Sequence, residues 1–136
     1  MPAAEPFSVR RWFWPLCAVT VGYSLFLVWA THHPKPQDLL GPNPPPDKAL
    51  HFIAYGLLGL LTAATLAASR HWSWRNAIVL AVALALAAVV DESTQPLFGR
   101  AAEVLDWVFD VIGIATGVAI VAITCRLLGW PSPEPV

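Results

Sequence analysis

The stretch Val104-Leu-Asp106-Trp-Val-Phe-Asp110-Val-Ile-Gly113-Ile-Ala-Thr-Gly117-Val-Ala-Ile-Val-Ala-Ile-Thr-Cys125 is apolar over the length of a membrane crossing, yet holds two aspartates one helical turn apart. A hydrocarbon core of roughly 30 Å takes about 20 helical residues, so a run of this length and apolarity predicts a transmembrane helix. Working outward, Trp12–Thr31 is uncharged throughout, and Ala49–Ser69 is interrupted only by His51. Asn76–Val90 is apolar but short, so a spanning helix there must take in flanking residues, Trp72–Arg75 on one side and Asp91–Gln95 on the other. The reading is an all-α, polytopic membrane protein: four transmembrane helices in an antiparallel bundle, over about residues 12–31, 49–69, 74–95 and 104–126, forming one domain across 1–136.

The bulk composition agrees. The 136 residues are 57% hydrophobic and 12% charged, which is not the make-up of a water-soluble domain. A net charge of −1, with no run of like charges, leaves nothing to grip a nucleic-acid backbone, so nucleic acid is excluded as a partner and the lipid bilayer is expected. Cys17 and Cys125 each lie inside an apolar run and read as packing residues rather than metal ligands or a disulfide. The seven tryptophans fall near span ends, where indoles collect: Trp12, Trp14, Trp72, Trp74 and Trp130 at one interface, Trp29 and Trp107 at the other.

Orientation follows from the basic residues of the short connections. Arg10, Arg11, Arg70, Arg75 and Arg126 lie on one side, Lys35, Lys48 and Arg100 on the other, which puts both termini in the cytoplasm. Asp38, Asp47, Asp91, Glu92, Glu103, Asp106 and Asp110 then gather at the outer face, and only Glu5 and Glu134 lie inside. The first apolar run is longer than a signal-peptide core of about 7 to 15 residues and three more spans follow, so it reads as an uncleaved helix. The outer connection 32–46 holds Pro34, Pro36, Pro42, Pro44, Pro45 and Pro46, which favour an extended, semi-rigid segment and leave Asp47 to cap the second helix. The inner turn 70–75 and the outer turn 96–103 are short and make hairpins of the helices they join.

Helical spacing sorts the polar residues into stripes. Asp47, His51 and Tyr55 recur every four residues, as do Asp91 and Gln95, with Glu92 beside them. Asp106 and Asp110 form a third stripe, continued by Gly113 and Gly117 as a G-x-x-x-G pair that permits close helix approach. All three stripes begin at the outer end and converge on one cavity if the helices present them to each other. Ionisable groups at membrane depth cost roughly 2.5 to 3.5 kcal/mol each on insertion scales, which favours that arrangement. Asp47, Asp91, Glu92, Glu103, Asp106 and Asp110 outnumber Lys48 and Arg100, so pairing within the set is incomplete and leaves room for protonation, water, a cation or a cationic ligand group. Arg100 is the candidate partner for Glu92 or Asp106, Asp91 and Glu103 read first as surface acids, and Tyr55 as a wall residue. The adjacent His32 and His33 sit in the proline-rich loop and do not by themselves define a metal site.

Asp47-Lys48-Ala-Leu-His51-Phe-Ile-Ala-Tyr55, then Glu92-Ser-Thr-Gln95, Arg100, and Asp106-Trp-Val-Phe-Asp110-Val-Ile-Gly113 resemble the successive signatures of the VanZ-like membrane proteins. The resemblance covers about Asp47 to Gly117, and departs from the family pattern at Asp110, where asparagine is usual. It implies a multi-pass protein of a bacterial plasma membrane. The family takes its name from a protein associated with lowered susceptibility to teicoplanin, a glycopeptide acting on cell-wall precursors outside the membrane. No settled reaction comes with the name.

Three functions are open on these residues. The first is binding or modification of a lipid-linked or cell-wall precursor headgroup, with Lys48, Arg100 and His51 on phosphate. Glu92, Asp106, Asp110 and His51 are then the candidate catalytic residues, the acids serving as acid/base groups or holding a divalent cation; Asp47, Lys48, Tyr55, Gln95 and Arg100 are the candidate ligand-binding set. Neither G-x-S-x-G nor H-E-x-x-H is present, so whether the protein is an enzyme is left open. The second is a proton- or cation-coupled transporter, in which four short spans would call for a homo-oligomer. The third is a non-catalytic assembly factor whose polar network fixes helix packing.

Overall fold

The computed structural model describes residues 9–129; Glu5, Trp130 and Glu134 lie outside them. Four helices carry the fold: α1 (Phe13–Thr31), α2 (Asp47–Ala68), α3 (Trp74–Thr94) and α4 (Val104–Leu127). Each is long and apolar enough to cross a membrane, the third with its continuation to Phe98, and there is no strand among the described residues. Their limits lie within about two residues of those read from hydropathy, the scatter usual for helix ends. The third helix does reach into its acidic flank, carrying Asp91 and Glu92 in its last turn.

The surface is inverted relative to a water-soluble protein. Asp106 and Asp110 are each 1% exposed, whereas Leu127 is 81%, Leu25 68% and Leu86 62% exposed. An apolar exterior with the acids turned inward is what hydrocarbon solvent selects, because a charged side chain facing lipid is the costly arrangement. The chain is therefore a multi-pass membrane protein.

Consecutive helices run antiparallel, which makes α2 and α4 parallel, and these two form the principal packing pair. Their seam is built from glycine. A Cβ on Gly113 would collide with the Phe52 carbonyl and Gly56 nitrogen, one on Gly117 with the Gly56 carbonyl and Leu60 nitrogen, and one on Gly59 with Ile114. Between lipid-solvated helices there is no water to expel, so close backbone approach and the dispersion contacts it brings hold the pair together. The G-x-x-x-G read on α4 thus meets a second glycine pair, Gly56 and Gly59, on α2. α1 lies on α2 through the Thr20 hydroxyl, which faces that of Thr65 at 2.9 Å, and the Tyr23 hydroxyl, which donates to the Ala54 carbonyl at 2.8 Å. α3 lies on α4, where the Trp107 indole N–H donates to the Ala85 carbonyl at 3.1 Å. Trp107 is therefore anchored between helices as well as placed near a span end.

The connections set the height of the polar residues. Ser73 caps α3, its side chain accepting from the Asn76 N–H at 3.1 Å. After Thr94 the chain tightens into a 3-10 turn over Gln95–Phe98, because Pro96 has no amide hydrogen to continue the α-helical ladder. Gly99 then reverses the chain at φ 78°, a conformation an L side chain resists. Two expectations are corrected in the proline-rich connection. It is not extended throughout, since Pro36–Leu40 coil into a 3-10 turn, Pro36 supplying the fixed φ of its first position. Asp47 does not cap α2: Pro46, at φ −54° and ψ 144°, occupies the cap position, and Asp47 is the first helical residue. Its carboxylate still lies in the first turn, where the helix dipole favours negative charge.

Candidate functional site

The stripes of α2, α3 and α4 meet at the end of the bundle where α1 terminates. Lys48 Nζ donates to Glu103 Oε2 at 3.0 Å and to Asp106 Oδ1 at 3.3 Å, so the lysine at the mouth of α2 neutralises the outermost acid of α4. One turn deeper, His51 Nδ1 stands 2.9 Å from Asp110 Oδ1 and its Nε2 3.8 Å from Asp106 Oδ2. A carboxylate only accepts, so the Nδ1 contact requires the proton on that nitrogen. The Tyr55 hydroxyl completes the stripe, buried among Asp91, Asp110 and Glu92.

α3 contributes from the opposite side. Glu92 is buried; its Oε1 accepts the backbone N–H of Glu103 and its Oε2 accepts from Gln95 Nε2 at 3.0 Å. The first of these bonds ties the start of α4 to the end of α3. Gln95 is 0% exposed, and its Oε1 has no hydrogen-bond partner among the described residues. A buried acceptor left in that state forfeits the water it gave up on folding, which makes it a place to look for a bound group.

Asp91 corrects the reading as a surface acid: it is buried, accepting from the Thr31 hydroxyl at 2.8 Å with His32 Nδ1 at 3.5 Å. His32 belongs to the site although its place in the loop concealed it. It follows directly on α1, its Nδ1 lies 2.8 Å from the Val28 carbonyl, its Nε2 2.9 Å from the Thr94 hydroxyl, and its ring meets Phe98 edge-on. Its position one residue past the end of an apolar run, before the first proline, was the available signal. Thr31 offered none beyond that, since its role depends on the end of α1 meeting the end of α3.

Arg100 is likewise corrected. It pairs with neither Glu92 nor Asp106; its Nη2 is 3.7 Å from Asp47 Oδ1 and its Nη1 donates to the Thr31 carbonyl at 2.8 Å. The turn at Gly99 carries the guanidinium over the ends of α1 and α2 instead of back along α4. Glu103 is half-exposed and keeps its role as a rim acid.

Beside this cluster runs a groove of about 220 Å³ between α1, α2 and the 36–40 turn. Tyr23, Leu27, Leu39 and Leu50 line it, Phe26 and Ile53, each more than half exposed, flank it, and Thr31, Asp47, His51, Tyr55 and Arg100 also border it, although its surface is overwhelmingly apolar. Every residue of the expected site therefore stands at one end of the bundle, with Asp47, His51, Tyr55 and Arg100 on the groove and Lys48, Glu92, Gln95, Asp106 and Asp110 in the network behind it.

No curated protein and no solved structure matches the chain. The family model described as VanZ/LLP1 matches residues 22–126, from within α1 to the penultimate residue of α4, and so takes in every side chain of the cluster. By that match the chain belongs to the VanZ/LLP1 family.

Proposed function

We propose that the protein binds a lipid-linked or cell-wall precursor at the outer face of a bacterial plasma membrane, its hydrocarbon chain in the α1–α2 groove and its headgroup on the polar cluster. The observation that carries this reading is the groove itself, whose walls are apolar and whose end holds Thr31, Asp47, His51 and Arg100. Arg100, which borders the groove, supplies a planar fork suited to a phosphate or carboxylate, and Lys48 adds a cation to the network behind it. An outward orientation is supported by the arginines Arg11, Arg70, Arg75 and Arg126 at the other end of the bundle. A precursor held there lies where a glycopeptide acting on such precursors would meet it, which is the sense in which a link to teicoplanin resistance follows. If the headgroup is also modified, His51, Glu92, Asp106 and Asp110 are the acid/base groups within the network.

Transport is less well supported. Directly beneath His51 and Asp110 the backbones of α2 and α4 touch at Gly56, Gly59, Gly113 and Gly117, which leaves no room for a wire of water or side chains along this pair.

The test is thermal unfolding of the purified protein in detergent with a polyprenyl phosphate, a long-chain alcohol or inorganic phosphate. A ligand at about 100 times its Kd stabilises by about 2.7 kcal/mol. Stabilisation is expected from the polyprenyl phosphate alone, and is expected to be lost in Ala30→Phe, which fills the groove, and in Arg100→Ala. Equal responses to all three additives, or a response that survives both substitutions, would refute the reading.

A further inference from the structure

We propose that His51, Glu92 and Asp110, with the Gln95 side-chain carbonyl, form a binding site for one first-row divalent cation such as Mn²⁺ or Zn²⁺. The claim is independent of what occupies the groove.

Three helices deliver the donors: α2 the imidazole, whose Nδ1 releases the proton it shares with Asp110 when an ion takes its place, α3 Glu92, and α4 Asp110. Each offers one ligand atom, all within 4.8 Å of one another, and all three residues are buried. Two ligands on opposite sides of one ion stand about 4.2 Å apart at bonds of about 2.1 Å. Three donors around one ion sit closer than that, about 3.4 Å apart in a tetrahedron, so the side chains draw in by up to about an ångström to close on it.

Charge distinguishes this set from its neighbour. Asp47, His51 and Asp106 are also within reach of one another, but Arg100 already serves Asp47 and Lys48 already serves Asp106. Among the described residues, the sole basic group in ion-pair contact with Glu92 or Asp110 is His51 itself, which faces Asp110. Two buried carboxylates sharing one imidazole, in a protein surrounded by hydrocarbon, are neutralised either by a proton or by a bound cation.

A cluster of acids alone proves little, and the independent observation is Gln95. Its amide nitrogen is spent on Glu92 Oε2, it is 0% exposed, and its Oε1 is an acceptor with no donor. The amide is rigid and planar, so Oε1 lies within the buried space around Glu92. Among the described residues no donor meets it, whereas a cation would satisfy an amide oxygen and two carboxylates together. One nitrogen among oxygen donors favours Mn²⁺ or Zn²⁺ over Ca²⁺, which takes oxygen ligands alone.

The experiment uses the full chain purified in detergent and stripped with EDTA. Mn²⁺ is titrated in and the free ion followed by electron paramagnetic resonance; Zn²⁺ is measured by metal analysis after desalting. The expected result is about one cation per chain, with affinity reduced about tenfold or more in Glu92→Gln and in Gln95→Leu. The loop variant Asp38→Asn should match the parent, and circular dichroism reports whether each variant keeps its helices. Failure of the parent protein to bind either ion, a preference for Ca²⁺, or unchanged affinity in both Glu92→Gln and Gln95→Leu would overturn the proposal. Because the parent protein decides the first outcome, a variant that fails to fold does not rescue it. Cation binding without any lipid response would leave this site standing and remove the groove reading alone.

Discussion

His51 Nδ1 and Asp110 Oδ1 lie 2.9 Å apart, a buried contact that ties the second span to the fourth at the depth where the polar cluster gives way to the glycine seam. An asparagine in place of Asp110 could still accept from that ring nitrogen through its amide oxygen. Asp110→Asn should therefore cost no more than about 1.5 kcal/mol. Asp110→Leu strands a buried imidazole and should cost about 3 to 5 kcal/mol. Unfolding in mixed detergent–SDS micelles, followed by helix content, measures both; equal losses would show that the contact contributes nothing specific.

The glycine seam makes a sharper steric prediction. A methyl group at Gly117 has nowhere to go, because its neighbours are backbone atoms of α2 and not movable side-chain ends. Gly117→Ala should destabilise by about 1 to 3 kcal/mol. Gly22, in α1, has nothing within 4 Å of an added Cβ, and Gly22→Ala should be neutral or stabilising by up to about 1 kcal/mol. The same unfolding assay compares them, and a seam that tolerates alanine at 117 is not packed as described.

Arg100 bridges two helices, taking the Thr31 carbonyl and Asp47 in different directions. Arg100 reaches them with two separate nitrogens, Nη1 and Nη2, a spread that the single ammonium of a lysine does not reproduce, so Arg100→Lys should behave like Arg100→Ala rather than like the parent in stability and in amphiphile binding. Recovery of binding by lysine would reduce the role of Arg100 to charge alone.

Topology is testable by labelling. With Cys17 and Cys125 replaced by alanine, Gln37→Cys should react with a membrane-impermeant maleimide in intact cells, and His71→Cys only after permeabilisation. Both are exposed positions, in the proline-rich connection and in the α2–α3 turn. The reverse pattern would place the cluster on the cytoplasmic face.

Most of the scaffold was legible in the sequence because length and apolarity are one-dimensional properties. The four spans, the short hairpin turns and the stripes Asp47–His51–Tyr55 and Asp106–Asp110–Gly113–Gly117 all follow from spacing along single helices. What spacing does not encode is the rotation of one helix against another. Gly56 and Gly59 became meaningful only opposite Gly113 and Gly117, in a chain where small residues are frequent. The burial of Asp91 is hidden from the sequence for the same reason: nothing local says that α1 ends beside it and delivers Thr31 and His32. Arg100 went to Asp47 because of one left-handed glycine and a 3-10 turn, features that redirect a loop without altering its composition.

The central claim, that the groove and the cluster together hold an amphiphile, is tested most directly by native mass spectrometry of the protein released from bacterial membranes in mild detergent. The account predicts a co-purifying adduct with a long hydrocarbon chain and a phosphate-bearing or otherwise polar headgroup, present on the parent protein and lost from both Ala30→Phe and Arg100→Ala. A bare protein mass, or an adduct retained by both variants, would contradict it.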